Sequence, residues 1–414
     1  MFGWPPEHRR SPELSVPGFT LATGVFEQRK KGDAEMRFVH TADWQLGMTR
    51  HFLGGEAQPR YSAARRDAVA RLGALCTEVG AEFVVVAGDV FEHNQLDPRE
   101  VSLSLEAMRA IKIPVFLLPG NHDPLDPASV YTSTLFLAEC PPNVTVLDGV
   151  HELRPGVQIV GAPWRSKAPT TDLTGDAVAD LPADGVTRIV VGHGGVDVLD
   201  PDPTKPSLIR LDAVEAAVQR GAVHYVALGD KHSRTEVGST GRVWYSGAPE
   251  VTNYDDIEAD SGHVLVVDVD EADQTVKVDA RRVGQWRFVT LRRIVDTDRD
   301  IADLDLNLDG LPDKERTVVR LALTGSLTIS DKAVLDACLD RYARLFAALT
   351  TWERHTDLVV VPADGEFSDL GIGGFAAAAV DELVGTASAS GDGADDARAA
   401  LALLLRLVDR GTAA

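Results

Sequence analysis

Five short polar stretches interrupt apolar runs in this sequence, and each carries residues able to hold a metal ion or move a proton. They are TADWQLG (41–47), AGDVFE (87–92), PGNHDP (119–124), VGHGG (191–195) and LGDKHS (228–233). Together they supply Asp43, Gln45, Asp89, Asn121, His122, Asp123, His193, Asp230 and His232. Taken singly, each has an ordinary explanation. An Asp after a strand commonly caps a helix or closes a turn, and a lone buried His is commonly a hydrogen-bonded core residue. The ordered set points elsewhere. Carboxylates and imidazoles on converging loops are the ligands of paired divalent cations. Two cations about 3.5–4 Å apart can grip both the attacking and the leaving oxygen of a phosphodiester and acidify a water.

Such a set acts only if the elements around it bring it together. The polar stretches follow strand-like runs: RFVHTA (37–42), FVVVAGD (83–89), VFLLPG (115–120), RIVVGHG (188–194) and HYVALGD (224–230). Further runs of this kind are VQIVGAP (157–163), RVWYSGAP (242–249) and HVLVVDVD (263–270). Helical stretches lie between several of them. Residues 61–80 place Ala64, Ala68, Leu72, Leu75 and Val79 on one face, and 97–111 and 210–221 are similar. Strand–helix alternation predicts an α/β layered fold with largely parallel central strands. Ligands in such sheets sit beyond the carboxyl ends of the strands, so the expectation is that all five stretches line one edge of one sheet.

Residues 1–35 have early prolines and no periodicity and read as a disordered extension, with Met36 opening the first clear strand. The chemistry-rich pattern ends near 285. Residues 286–365 read as a small α+β module: WRFVTLRRIV, RTVVRLALTG, a helix over 331–349 and DLVVVP. Residues 366–414 read as a flexible linker followed by a C-terminal helix, DARAALALLLRLVDR, whose Leu401, Leu404, Leu405 and Val408 share one face.

Composition narrows the class. The chain has 414 residues, 44% of them hydrophobic, enough for one large core and a smaller unit. No apolar run is long enough for a membrane span, and the N-terminal residues lack the apolar segment of a signal peptide. Three dispersed cysteines, Cys76, Cys140 and Cys338, make a disulfide framework or a metal knuckle a poor reading, and a reducing cytoplasm the natural one. The net charge of −22 is the reverse of the basic footprint usual in duplex-DNA binders. A polyanionic substrate would then need metal ions, a partner, or local cations such as Arg50 and Arg165. No G-x-x-x-x-G-K-[ST] phosphate loop occurs, so any ATP dependence would come from another chain.

Taken together, D-x-Q, G-D, G-N-H-D, G-H and G-D-x-H resemble the signature of the calcineurin-like metallophosphoesterases, and most closely the SbcD-type DNA repair exonucleases. The likeness covers roughly 36–365 and includes TADW, GDVFE and YSGAPE. It implies a two-sheet α/β sandwich with helices on the outer faces over 36–285, and an α+β capping domain over 286–365 that helps place DNA. Two manganese ions are implied. One would be held by Asp43, Asp89 and His232 and the other by Asp89, Asn121, His193 and Asp230, with Asp89 shared. His122 matches a histidine that acts on the reacting phosphate without holding a metal, and Asp123 accompanies it in the catalytic loop. The implied partners are DNA and an SMC-like ATPase of SbcC type; a homodimer is compatible, a membrane is not.

The sequence departs from the family pattern at three places. Gln45 stands where the family has His, and Asp230 stands for the first His of G-H-x-H. Both changes move the ligand set toward oxygen, which favours manganese or magnesium over zinc. Glu92 stands at another family histidine, with His93 one residue later. The bridging Asp89 and Asn121 are kept, which favours a working site. The competing expectations are a phosphodiesterase or phosphatase on small nucleotides, and a DNA-end or partner-binding subunit whose metal site has lapsed.

Overall fold

The computed structural model describes residues 35–361, apart from 203 and 273, together with 375–388 and a few positions between 393 and 401. Its strands begin with β1 (Glu35–Thr41), β2 (Phe83–Val86), β3 (Val115–Leu117), β4 (Val144–Val146), β5 (Val150–Arg154) and β6 (Val157–Gly161). They continue with β7 (Thr187–His193), β8 (Tyr225–Gly229), β9 (Thr235–Val237), β10 (Val243–Tyr245), β11 (His263–Asp270) and β12 (Val276–Arg282). These twelve form two six-stranded sheets, ordered β12-β11-β1-β2-β3-β4 and β5-β6-β7-β8-β10-β9. Within the sheets β1 to β4 run parallel, as do β6, β7, β8 and β10.

The two sheets stack face to face, and the period-2 alternation of each strand decides which side chains enter the seam. Phe38, Phe83, Val85 and Phe116 from the first sheet meet Ile159, Ile189, Val191 and Tyr225 from the second. Alternate residues of the first sheet, Val39, Val84 and Val86, face outward onto α1 (Ala57–Val79), α2 (Pro98–Met108) and α3 (Thr134–Glu139). The outer face of the second sheet packs Val190, Val226 and Tyr245 against α4 (Leu173–Ala179) and α5 (Leu211–Gln219). The fold is therefore a two-sheet α/β sandwich with helices outside. The single sheet edge read from the strand–helix alternation is corrected: the polar stretches come from two sheets.

A polar link crosses this apolar seam. His40, wholly buried on β1, places Nδ1 3.0 Å from the Tyr225 hydroxyl and Nε2 3.2 Å from the Leu228 carbonyl of β8. Burial drives its pKa down to about 3, so it is a neutral core residue.

A four-stranded sheet follows: β13 (Arg287–Ile294), β14 (Thr317–Thr328), β15 (Ala348–Thr351) and β16 (Asp357–Val361), with every strand pairing parallel to β14. Helices α6 (Asp298–Asp309) and α7 (Ile329–Ala343) supply its core partners, among them Leu304, Leu308, Leu335 and Tyr342. Its junction with the sandwich is aromatic: Trp286 and Phe288 pack on Tyr61 and Tyr254. Buried Glu250 fastens this junction by accepting from the Gln285 and Trp286 amides at 2.9 and 2.8 Å. Farther along, α8 (Phe375–Ser388) lies inside the segment read as linker; its FAAAAV start has high helix propensity. Most of the 396–410 segment read as a terminal helix lies outside the described residues. Among the described residues, no helix is long and apolar enough to cross a membrane.

Candidate metal centre

The site lies where the carboxyl ends of β1, β2, β3, β7 and β8 meet. Asp43 and Gln45 follow β1, Asp89 follows β2, Asn121 to Asp123 follow β3, His193 ends β7, and Asp230 and His232 follow β8. Ligand atoms of Asp43, Asp89 and His193 all lie within 4.8 Å of one another, and all three residues are buried. His193 Nε2 sits 2.7 Å from Asn121 Oδ1, 3.4 Å from Asp89 Oδ1 and 3.9 Å from Asp230 Oδ1. The Asp230 amide donates to both Asp43 oxygens, at 3.1 and 3.2 Å. Gln45 Nε2 lies 3.4 Å from His232 Nε2. The seven residues expected to hold metal therefore gather in one place, drawn from both sheets.

The backbone is bent to achieve this. Asp43, Gln45, Asp89 and Asp230 have φ of 53°, 41°, 52° and 97°. Left-handed conformations cost non-glycine residues about 1–2 kcal/mol each, and such strain concentrates at functional sites. The turns also need glycine where chains approach closely. A Cβ on Gly88 would stand 2.1 Å from His193 Nδ1, and one on Gly120 would stand 2.2 Å from Asp89 Oδ1.

Electrostatically the site is built for a cation. Among the described residues, neither Asp43 nor Asp89 pairs with a Lys or Arg; their charged neighbours are histidines and other carboxylates. Burial pushes the Asp43 carboxyl up to about 7, against the pull of His232 and His193. Burial also acts to raise Asp89, but His193 and His122 outweigh it and hold Asp89 below the usual carboxylate range. Burial alone would lower His193; the Asp89 carboxylate beside it drives its pKa well up instead. His193 Nδ1 is 2.8 Å from the Ala87 carbonyl, to which it donates, so its Nε2 faces three oxygens with only a proton or a cation to place between them. Gln45 Oε1 is buried with no hydrogen-bond partner, a costly state that a hard cation would relieve. The residues present thus fit divalent metal.

His122 Nδ1 lies 2.8 Å from the Glu92 carbonyl, which turns Nε2 toward Asp89 Oδ2 at 3.9 Å. The His122 amide donates to Asp89 Oδ1 at 2.9 Å. Asp123 is not placed for catalysis, and that expectation is corrected. It is wholly buried, accepting from the Phe91 amide (2.9 Å), the Gly120 amide (2.8 Å) and the Tyr131 hydroxyl (2.6 Å). Burial raises its pKa to about 6, partly offset by these donors. It braces the loop that carries Asn121 and His122. His93 does not stand in for the family histidine at Glu92; it is exposed and accepts from the Gln95 amide.

The two arginines expected to meet phosphate lie outside the ligand cluster. Half-buried Arg50 follows Gln45, and its amide donates to Gln58 Oε1 at 2.7 Å. Arg165 is exposed, donates to the Asp148 carbonyl at 3.0 Å, and helps line a cavity of about 520 Å³ with Ser166, Thr170 and Asp176. Its neighbour Trp164 donates to the His193 carbonyl at 2.7 Å, tying that loop to the metal centre. Arg65, on α1, is buried. Its guanidinium donates to the carbonyls of Asp43 (3.3 Å), Trp44 (2.8 Å) and Val251 (3.2 Å), pinning the first ligand loop. Two further residues went unnoticed in the sequence. Thr252 Oγ1 is 2.6 Å from His232 Nδ1 and 2.6 Å from Glu258 Oε2. Neither residue sits in a spacing that signals a site.

Comparison with known proteins agrees with this geometry. Residues 36–234 match the calcineurin-like phosphoesterase family. The chain is 26% identical over 372 residues to the SbcD subunit of the nuclease SbcCD of Rhodobacter capsulatus, covering 76% of this chain and 87% of that protein. Over 91 residues it is 34% identical to the DNA double-strand break repair protein Mre11 of Archaeoglobus fulgidus, which is 21% of this chain and 19% of that protein. Over 92 residues it is 32% identical to the SbcD subunit of the nuclease SbcCD of Bacillus subtilis, 21% of this chain and 22% of that protein. The last two matches span about a fifth of those relatives.

Proposed function

Because this chain carries a calcineurin-like metallophosphoesterase domain, we propose that it is a metal-dependent phosphodiesterase acting on DNA. The observation that carries this reading is the buried cluster of Asp43, Asp89 and His193, with ligand atoms within 4.8 Å and, among the described residues, no Lys or Arg to neutralise it. In this reading Asp43, Gln45, Asp89 and His232 hold one ion, and Asp89, Asn121, His193 and Asp230 hold the other. The ions, when bound, would supply Lewis-acid activation of a water and charge neutralisation at the phosphate. The oxygen-rich set favours manganese, with magnesium next.

The chain's own residues do the rest. Asp89 has a ligand atom within 4.8 Å of those of Asp43, from the first group, and His193, from the second; one of its oxygens is 3.4 Å from His193 Nε2 and the other 3.9 Å from His122 Nε2. His122, held through Nδ1, offers Nε2 to protonate the leaving oxygen. Arg50 and Arg165 meet flanking phosphates. The sheet over 287–361 acts as a cap that positions the duplex.

DNA as substrate, and an SMC-like ATPase as partner, draw support from the likeness to the Rhodobacter SbcD subunit across 87% of that relative. A cytoplasmic nuclease in DNA repair fits this set. The test is turnover by the purified chain with added manganese, on end-labelled linear duplex, on cyclic dinucleotides and on bis-p-nitrophenyl phosphate. Cleavage of duplex and of the small diester supports the reading. Turnover of cyclic dinucleotides without DNA cleavage would assign a small-nucleotide phosphodiesterase, and no turnover of any diester would assign a binding subunit.

A further inference from the structure

The three imidazoles at the centre are oriented by their Nδ1 atoms, but not by the same kind of partner. His193 and His122 lie against backbone carbonyls, Ala87 and Glu92, each at 2.8 Å. His232 instead lies against a side chain, Thr252 Oγ1, at 2.6 Å. Thr252 is 1% exposed and Glu258 4%, so both are withdrawn from water.

Hydrogen-bond accounting fixes the direction of this chain of contacts. A hydroxyl has one hydrogen and can accept two more. The Glu258 carboxylate only accepts: Oε1 takes the Thr252 amide at 2.9 Å, and Oε2 takes the Thr252 hydroxyl at 2.6 Å. With its one hydrogen committed to Glu258, Thr252 Oγ1 can only accept from His232. The His232 proton must therefore sit on Nδ1. Nε2 is then the nitrogen left with a lone pair, and it is the nitrogen that faces Gln45.

We propose that Glu258 and Thr252 form a positioning relay that locks His232 into the Nδ1–H tautomer and aims its Nε2 at the metal centre. The proposal rests on the metal-site reading above for its consequence, but the tautomer stands without it. Outer hydrogen bonds of this kind both orient a ligating imidazole and raise its basicity, and their loss typically weakens metal binding about 10- to 100-fold. The relay has particular weight here because Gln45, a weak neutral donor, shares the His232 side of the site. His232 is then the strong nitrogen donor there, and its orientation depends on two side chains.

Two measurements test this. The first uses metal-free protein labelled with ¹⁵N-histidine, at a pH where the imidazole is neutral, with the His232 signal assigned by its loss in His232→Gln. Long-range nitrogen–proton correlation should show Nδ1 protonated and Nε2 bare in the wild type. A wild-type Nε2–H tautomer overturns the relay outright. The second compares Thr252→Val, nearly isosteric but without the hydroxyl, with Thr252→Ser, which keeps it. Thr252→Val should lose the single tautomer and weaken one manganese ion about 10- to 100-fold in equilibrium dialysis, while Thr252→Ser recovers both, with melting temperatures checking the fold. Wild-type tautomer and affinity in Thr252→Val would overturn the relay. A wild type that binds no manganese would overturn the metal reading instead, with the tautomer measurement still deciding the relay.

Discussion

His193 and Asn121 meet across the seam between the two sheets, Nε2 to Oδ1 at 2.7 Å. One ends a strand of the second sheet and the other follows a strand of the first. Asp89 Oδ1 joins them at 3.4 Å from the same nitrogen. The centre is thus a joint between sheets, and whatever binds there ties them together.

Asp89→Asn should abolish phosphodiester hydrolysis and lower the bound metal by one ion, with the fold kept. Asn offers one neutral oxygen where Asp89 offers two charged ones, one of them also receiving the His122 amide at 2.9 Å. The check is metal content by mass spectrometry beside turnover of a small diester. Near-wild-type turnover at saturating manganese in a folded variant would remove Asp89 from the bridging role.

Gln45→His should raise the metal retained after dialysis. The present amide leaves Oε1 buried and unpartnered beside His232, and an imidazole is a stronger donor to these ions. Unchanged occupancy would mean that position 45 does not face the ion.

His122→Ala and Asp123→Ala should separate two roles in one loop. His122→Ala should keep its metals and lose about 10²- to 10⁴-fold in turnover, the usual worth of a general acid or base. Asp123→Ala leaves two buried amides and a hydroxyl without their acceptor, at roughly 1–3 kcal/mol for each group. It should show as a lowered denaturant midpoint. Metal loss in step with activity in His122→Ala would make His122 a ligand; wild-type stability of Asp123→Ala would deny the brace.

His40 should make the protein less stable in acid. Its folded pKa is depressed to about 3 from 6.5, so below 6.5 the unfolded chain binds a proton that the folded chain refuses. Its contribution is complete above pH 6.5 and is lost as pH falls toward 3, at up to about 1.4 kcal/mol per pH unit. Unfolding free energies from pH 7 to 4 for wild type and His40→Gln give the contribution as a difference. Parallel curves for the two proteins would mean that His40 takes up its proton without unfolding.

How much of this was written in the sequence follows from what is local. Alternation and β-branched runs mark β1, β2, β3, β6, β7, β8, β10 and β11, because a strand buried on both faces must be apolar along its length. Short or half-exposed strands such as β4 and β12 lack that mark. The candidate ligand types at the strand ends were legible for the same reason: Asp43, Asp89, Asn121, Asp230 and His232 each follow a readable strand, and His193 ends one. The family resemblance implied two sheets, but which strand joins which sheet was not legible from the residues, since strand pairing is non-local and no residue type encodes its neighbour. Nor were the roles of residues defined by distant partners. Asp123 looks catalytic beside His122 until Phe91 and Tyr131 are seen to occupy it, and nothing local to Arg65 marks it as buried among the carbonyls of Asp43, Trp44, Glu250 and Val251. Thr252 and Glu258 become part of the site only because the chain folds back 20 residues after His232 and sets a hydroxyl 2.6 Å from its ring.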